Sequence, residues 1–187
     1  MRSTIGIASA LLFLLAPVAA IASVVLSQDA PDIVVHLFLG AGSLAFALAA
    51  FDFGLPRWIN VVGAITGIAL GAIFLLQALS LMVPNDQLTN LAFTQLGQTP
   101  EGVLGLGFLV WFAGLLVYGS KGRSRYVGMV IVPVAFVLEV LALVGVKLPI
   151  PNVVVFLAPF VWLLIEGAKQ RPVAAETPSP KPVLVRR

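Results

Sequence analysis

Six long apolar runs, separated by short segments that hold nearly all of the charge, constrain this chain more than any other feature. The runs cover residues 4–26, 32–53, 57–83, 103–119, 125–146 and 150–167. A helix needs about 20 apolar residues to cross the hydrocarbon layer of a bilayer, which these runs supply. With 60% hydrophobic and 10% charged residues in a chain of 187, the interior is too small to hide them from water. The sequence predicts an all-α membrane protein in which residues 1–167 form a bundle of six transmembrane helices.

The cations fall on one side of the predicted bundle. If the N-terminus is cytoplasmic, that side receives ten of the eleven lysines and arginines: Arg2, Arg57, Lys121, Arg123, Arg125, Lys169, Arg171, Lys181, Arg186 and Arg187. Lys147 alone lies on the other side. Short loops rich in Lys and Arg remain in the cytoplasm. We therefore expect both termini to be cytoplasmic and the protein to lie in a bacterial plasma (inner) membrane. Topology accounts for the basic charge, so nucleic acid is not expected as a partner.

The first apolar run has a second interpretation. Met1-Arg2, the apolar stretch and Ala20-Ile21-Ala22 are also typical of a signal peptide with an A-x-A cleavage site. Cleavage would leave five helices in the same orientation, because the second run already leads from the outside to the inside.

The last segment, residues 168–187, differs in composition from the rest. It holds four prolines at positions 172, 178, 180 and 182, with small polar residues and scattered charge. This composition predicts a disordered, basic, Pro-rich cytoplasmic tail. Its cations are expected to contact anionic lipid.

The sequence also contains two internal similarities. At an offset of 65 residues, Leu39-Gly40 aligns with Leu104-Gly105 and Phe46 aligns with Trp111. At an offset of 48 residues, Phe112-x-x-Leu115-Leu116 aligns with Phe160-x-x-Leu163-Leu164. A helical hairpin repeated in parallel would produce this pattern, and so would chance recurrence of Leu, Gly and aromatic residues in membrane segments.

The loop between the third and fourth runs, residues 84–101, is the longest connection. Leu88, Leu91, Ala92 and Leu96 fall on one helical face, which predicts a short amphipathic helix lying on the membrane surface. The same segment could instead cover an external cavity.

Gly63, Gly67 and Gly71 form a small-residue stripe in the third helix. Glycines four residues apart share one face and allow another helix backbone to approach closely in lipid. The partner helix could belong to the same bundle, to a second copy or to a larger complex. Ala41, Ala45 and Ala49 form a similar face on the second helix, which favours packing within the bundle.

A few polar residues lie deep in the apolar runs. Glu139 lies past the middle of the fifth run, and an acid at that depth needs a proton, a partner or water. His36 and Gln77 lie at a comparable depth, so Glu139, His36 and Gln77 are predicted to form an outward-facing polar cluster. Alternatively, Glu139 bonds to a neighbouring helix and His36 is satisfied by Asp32, four residues earlier.

The inner end of the last run carries another acid. Glu166 is predicted to pair with Lys169 or Lys121.

The sequence lacks the residues that several kinds of catalytic and metal site require. The chain has no cysteine and only one histidine, so thiolate nucleophiles, thiolate metal sites and bis-histidine haems are excluded. Motifs of serine or aspartate intramembrane proteases, H-E-x-x-H metalloproteases and P-loop nucleotide sites are also missing. We expect no enzymatic activity, no cofactor and no metal.

The C-terminal half resembles a family of small bacterial six-helix membrane proteins defined as a domain of unknown function. The resemblance is carried by Leu115-Leu116-Val117-Tyr118-Gly119, Ser124-Arg125-Tyr126-Val127-Gly128 and Trp162-Leu163-Leu164-Ile165-Glu166-Gly167. Members of this family tend to have a Glu early in the last helix, where this chain has residues 156–159 without one. The resemblance implies the fold and the membrane location, and it implies no activity.

Two functions fit these patterns. The first expectation is a non-enzymatic membrane protein that acts through helix contacts, as an accessory subunit or a homo-oligomer, with the stripe Gly63, Gly67 and Gly71 as its contact face. The alternative is a small transporter, channel or hydrophobic-ligand binder that uses the polar cluster around Glu139.

Overall fold

The computed structural model describes residues 2–26, 30–83, 85–97, 99–146 and 152–169, and these residues contain helices and turns but no β-strand. The α-helices in this part of the chain are α1 (Arg2–Leu26), α2 (Ala30–Ala49), α3 (Arg57–Met82), α4 (Asp86–Thr89), α5 (Thr99–Gly114), α6 (Arg123–Leu143) and α7 (Asn152–Lys169). Two π-helical turns extend this set: Asn90–Gln95 continues α4, and Leu115–Gly119 continues α5. The predicted all-helical class is confirmed for the described residues.

Four helical segments are long and apolar enough to cross a membrane. They are Asp32–Ala49, Arg57–Met82, Pro100–Gly119 and Arg123–Leu143. Thr4–Ala16, within α1, is a shorter apolar helix. These segments indicate a membrane protein, while the count of six spans, which also needs α1 and α7, stays a prediction.

The second helix ends earlier than predicted. It stops at Ala49 instead of residue 53, because the chain turns there: the Asp52 N–H donates to the Ala49 carbonyl at 2.9 Å. Gly54 follows with a φ of +64°, a conformation that glycine adopts without strain. Phe53 and Leu55 point back into the bundle and are buried, which explains why the apolar run continues beyond the helix.

The six long helices form a closed ring. Each packs against the next in the order α1, α2, α3, α5, α6 and α7, and α7 packs against α1. Neighbouring helices run antiparallel: Gly6 near the start of α1 adjoins Phe53 after the end of α2, and Ile59 near the start of α3 adjoins Gly114 at the end of α5. Trp162 near the end of α7 likewise contacts Ser124 at the start of α6, so this is an up-and-down bundle. The first helix is a full member of the ring: Phe13 belongs to the core, and the Ser9 hydroxyl donates to the Gly42 carbonyl at 2.9 Å.

Aromatic side chains fill the centre of the ring. Phe13 stacks on Phe160 with ring centroids 3.8 Å apart, and Phe46 meets Trp111 edge-to-face at 4.7 Å. Phe112 meets Phe160 in the same way at 5.4 Å. The residues that the two sequence offsets align therefore touch in the core. This contact is compatible with repeated hairpins, whose common origin stays a prediction.

The glycine stripe of α3 faces the inside of the chain. Gly63, Gly67 and Gly71 are all buried. A Cβ atom at Gly67 would lie 2.6 Å from the Ser43 carbonyl oxygen of α2, and one at Gly71 would lie 2.8 Å from a Leu44 methyl carbon. At Gly63 the indole ring of Trp111 occupies the space of the missing side chain.

The face of α2 that meets this stripe differs from the predicted one. Ser43, Leu44 and Ala47 contact the glycines, whereas Ala41 is exposed and Ala45 is only half-buried. The prediction counted small residues, but the rotation of α2 also places Phe46 in the aromatic core. That requirement turns the Ala41 face away from α3.

Charge is divided between the two ends of the ring. The lysines and arginines among the described residues lie in the helix starts, helix ends and turns of one end, here called the basic end: Arg2, Arg57, Lys121, Arg123, Arg125 and Lys169. Lys147 and the predicted tail from residue 170 onward lie outside the described residues, and residues 168 and 169 belong to α7. The opposite end is called the far end below.

Candidate functional site

A cavity of about 180 Å³ lies inside the ring, toward the far end. Each of the six long helices contributes to its wall. The wall is mostly apolar and includes Phe13, Leu39, Leu70, Phe74, Phe108, Leu143, Leu157 and Phe160. Among the described residues of the wall, Glu101 and Glu139 are the ionisable ones.

Glu139 reaches this cavity from α6. Its side chain is 4% exposed, and its Oε2 atom is buried without a hydrogen-bond partner. The other oxygen, Oε1, lies beside α5, 3.6 Å from the position that a Cβ atom would take at Gly102. A Cβ atom at position 102 would lie 2.6 Å from a Leu143 methyl carbon, so the glycine makes room for Leu143, and the Glu139 carboxyl group lies at ordinary contact distance.

Glu101 enters the cavity from the first turn of α5. The fourth apolar run is predicted from residue 103, and Thr99-Pro100-Glu101 before it is typical of a helix entrance; the helix does begin at Thr99. Proline is favoured at the first helical position and an acid in the first turn, which explains the start at Thr99-Pro100 and the place of Glu101. Gly105 and Phe108 follow at helical spacing on the same face and also line the cavity.

Gln77 contacts Glu101. Its Nε2 amide donates to Glu101 Oε2 at 3.4 Å and to the carbonyl oxygen of Ala92 at 3.3 Å. The buried amide thus connects α3 to the start of α5 and to the π-helical turn between them. Its predicted partner Glu139 lines the same cavity as Glu101, whereas Gln77 is not among the lining residues.

His36 belongs to a different group. Its Nδ1–H donates to the backbone carbonyl oxygen of Asp32 at 2.7 Å, and its ring meets Phe93 edge-to-face at 5.6 Å. The imidazole is not among the side chains that line the cavity. The predicted trio is therefore divided: Gln77 and Glu139 adjoin Glu101, and His36 packs against the Asn90–Gln95 turn. Depth along a helix does not specify its rotation, and rotation separates these residues.

The segment 85–97 packs over the far end of α3. Asn85 caps it by accepting from the Gln87 and Leu88 N–H groups, and the π-helical turn then carries Ala92 into a fully buried position. Leu91, predicted to share the apolar face with Ala92, is 39% exposed because a π-helix turns less per residue than an α-helix. Gly97, at the end of the segment, lines the cavity. The segment thus forms part of the cavity wall, and its place at a membrane surface stays a prediction.

A second buried carboxylate lies at the basic end. Glu166, which is buried, accepts a hydrogen bond from Ser120 at 2.8 Å and from Ser124. Lys169 lies 3.4 Å from Glu166 Oε1, which confirms the predicted pair. All these partners belong to the chain itself, so this group holds α7 to the α5–α6 turn.

The carboxyl groups of the cavity and of the Glu166 group differ in whether they keep a hydrogen-bond acceptor available for a ligand. Glu166 accepts hydrogen bonds from Ser120 and Ser124, whereas Glu139 Oε2 has no donor among the described residues, and the described residues of the cavity wall include no Lys, Arg or His. Among the described residues no group of three or more His, Cys, Asp and Glu side chains could hold a metal ion. The cavity offers carboxyl oxygens beside an aromatic wall, which suits a ligand with one polar and one apolar part.

Comparisons of the chain with protein-family models, with curated proteins and with solved structures gave no match.

Proposed function

We propose that this protein is a membrane protein that binds a small amphiphile inside its helix ring. The apolar part of the ligand would lie against Phe74, Phe108 and Phe160, and its polar head would bind Glu101 and Glu139. One observation carries this proposal: a buried carboxyl oxygen of Glu139, which has no hydrogen-bond partner among the described residues, lies in the wall of an apolar cavity. Burying such an oxygen costs roughly 1–3 kcal/mol, which a donor on the ligand would recover.

The size of the cavity limits the ligand. An apolar cavity of roughly 150 Å³ holds a benzene molecule. The volume of about 180 Å³ therefore accommodates one aromatic ring or a branched group of similar size, together with a small head. A longer chain would have to extend out of the ring.

The carboxyl groups of Glu101 and Glu139 determine which polar head the ligand can have. An ionised carboxylate only accepts hydrogen bonds, and two such groups at one apolar site repel each other. A protonated amine supplies three donors and a positive charge, and such charge-assisted bonds are the strong ones. Since Gln77 already donates to Glu101, the ligand's ammonium group is expected to bind mainly to Glu139.

We further propose that all six long helices cross the membrane with the basic end in the cytoplasm. The clustering of the described cations at one end supports this orientation. The two carboxyl groups would then lie in the outer half of a bacterial plasma membrane, and a ligand would enter from outside or from the outer leaflet.

The glycine stripe lends no support to assembly with another protein. Gly67 and Gly71 contact α2, and Gly63 contacts Trp111, within the same chain. The expectation of a subunit or homo-oligomer stays a prediction, but Gly63, Gly67 and Gly71 are already in contact within the chain, whereas the cavity supports the ligand-binding alternative.

Isothermal titration calorimetry of the protein in nanodiscs would test the proposal with benzylamine as the probe. Benzylamine combines one ring with one ammonium group, and toluene has the ring alone. We expect saturable binding of benzylamine, at least tenfold weaker binding of toluene, and a similar loss of benzylamine affinity in Glu139→Gln. Asp86→Asn serves as the matched control, because Asp86 is exposed near the same end and does not line the cavity.

Empty nanodiscs give the background from partition into lipid. The proposal would be refuted by benzylamine heats equal to this background. Equal losses in Glu139→Gln and Asp86→Asn would also contradict it, because they would show a general effect of charge and no site at Glu139.

A further inference from the structure

A hollow at the basic end gathers three cations from two helices. Lys121 and Arg123 reach it from the α5–α6 turn, and Lys169 reaches it from the last turn of α7. The hollow has a volume of about 480 Å³. It lies at the opposite end of the ring from the cavity and shares no residue with it.

The buried Glu166 group holds one of these cations in place. Lys169 donates to Ser124 and lies 3.4 Å from Glu166 Oε1. Ser124 is fixed in turn by Trp162, whose indole N–H donates to the Ser124 carbonyl oxygen at 3.0 Å. A cation that is already positioned loses little conformational entropy when it binds an anion.

The charge of the hollow is positive after this pairing. Glu166 balances Lys169, and the positive charges of Lys121 and Arg123 remain. The first turn of α6 also lines the hollow through Gly122, Arg123 and Ser124, and the start of a helix carries partial positive charge. An anion is therefore the expected occupant.

The rest of the wall is apolar. Val127 of α6 and Ile165 of α7 line the same hollow, and both side chains are partly exposed on the outside of the ring. Tyr126 lies beside them with 72% of its surface exposed, as is typical of aromatic residues at the level of lipid headgroups. A free phosphate ion would make no use of this apolar wall, whereas a phospholipid presents a phosphate joined to acyl chains.

We propose that this hollow binds the headgroup of an anionic phospholipid. Its phosphate would contact Lys121, Arg123 and Lys169, and its acyl chains would run along Val127 and Ile165 between α6 and α7. This site belongs to the folded helices and is distinct from any contact of the tail with lipid.

Native mass spectrometry of the full chain in a zwitterionic detergent, at near-physiological ionic strength, would count bound phosphatidylglycerol during a titration. Phosphatidylcholine is the neutral comparison. We expect one phosphatidylglycerol to bind more tightly than the rest, and Lys121→Gln and Arg123→Gln each to weaken that first binding about tenfold, the size of one charge-assisted hydrogen bond.

Arg125→Gln is the matched control. It removes the same charge two residues further along α6, from an exposed side chain that does not line the hollow. A cation that acts only at a distance is largely screened by salt, so this variant should lose less than about twofold. All of the variants keep the tail, and each changes an exposed side chain, so folding is preserved.

Three results would overturn the inference. Equal losses in Arg123→Gln and Arg125→Gln would show general attraction to charge. Equal binding of phosphatidylcholine, whose phosphate is balanced by the choline cation, would show that the hollow does not select a lipid with net negative charge. Displacement of the first lipid by millimolar inorganic phosphate would show a site for the free anion. Each outcome concerns the basic end alone and leaves the benzylamine test of Glu139 unaffected.

Discussion

Replacing Gly67 by alanine should destabilise the bundle, although it adds only one carbon. The new Cβ atom would lie 2.6 Å from the Ser43 carbonyl oxygen and 2.9 Å from the Ala47 Cβ. Ordinary contacts begin at 3.4 Å, so the α2 and α3 backbones must separate by about 0.8 Å. The carbonyl oxygen cannot rotate away because it belongs to a helix backbone.

The magnitude follows from two opposing effects. Forcing extra volume into a packed interior costs about 1–3 kcal/mol. Alanine is favoured over glycine inside a helix by about 1 kcal/mol, which offsets part of this cost. Because the close contact is with a helix backbone, the cost should lie in the upper part of this range, about 2–3 kcal/mol. After the offset we expect the free energy of unfolding to fall by about 1–2 kcal/mol, which corresponds to roughly a tenfold loss in the ratio of folded to unfolded protein.

Gly71→Ala is the matched control in the same stripe. Its Cβ atom would lie 2.8 Å from the Cγ and a methyl carbon of Leu44, but Leu44 is an exposed side chain at the edge of the bundle, and a change of χ1 rotamer moves both atoms away. The nearest backbone atom, the Gly40 oxygen, is 3.3 Å away and needs almost no movement. The two glycines therefore differ in what they touch, and Gly71→Ala should lie within about 0.5 kcal/mol of the parent protein.

Unfolding by sodium dodecyl sulfate in mixed micelles, followed by tryptophan fluorescence, would measure both variants. Trp111 and Trp162 are fully buried and report loss of the core. The reasoning fails if Gly67→Ala unfolds at the same denaturant fraction as the parent or as Gly71→Ala. If Gly67→Leu changed the oligomer size in native mass spectrometry without a loss of stability, the stripe would contact another copy, contrary to the packing described above.

Three further changes test other parts of the fold. Glu166→Ala leaves buried hydroxyl donors without their acceptor, and we expect a loss of about 2–4 kcal/mol in the same unfolding assay, with no change in benzylamine binding. Ala142→Phe puts a ring into the existing cavity, so benzylamine binding should vanish at unchanged stability. Val137→Phe, on the exposed side of α6, is the control and should bind benzylamine normally. Benzylamine binding in both variants would place the ligand elsewhere. His36→Ala removes the edge contact with Phe93, worth about 0.5–1.5 kcal/mol, so the amides of residues 90–95 should exchange faster with deuterium while the core amides keep their rates.

Most of the helix positions could be predicted because charge and proline mark their ends. The third helix starts at Arg57 as expected, and the fifth predicted run, which begins at residue 125, corresponds to α6 from Arg123. The errors occur where apolar residues continue into a turn or polar residues enter a helix. Phe53 extends the second apolar run beyond the end of α2 at Ala49. The polar residues Thr99 and Glu101 belong to α5 but precede the apolar run that begins at residue 103.

The candidate site could be predicted only in part. The depth of Glu139 and Gln77 follows from counting along their helices, and both lie near the cavity. Glu101 lies in the first turn of α5, as Thr99-Pro100 before it indicates, but its contact with Gln77 and its place in the cavity wall were not predicted. His36 has the right depth and the wrong rotation. Rotation depends on the packing of several helices at once, such as that of Phe46 against Trp111, and no local pattern encodes it.

The contact between α1 and α7 joins the two described helices that lie furthest apart along the chain. Phe13 stacks on Phe160, and α7 follows the other five long helices in sequence, so the ring closes only when this contact forms. Until then the wall around Glu139 lacks the side chains of Leu157 and Phe160. The cavity is therefore completed by a contact of very long sequence separation, and its formation should be a late step of folding.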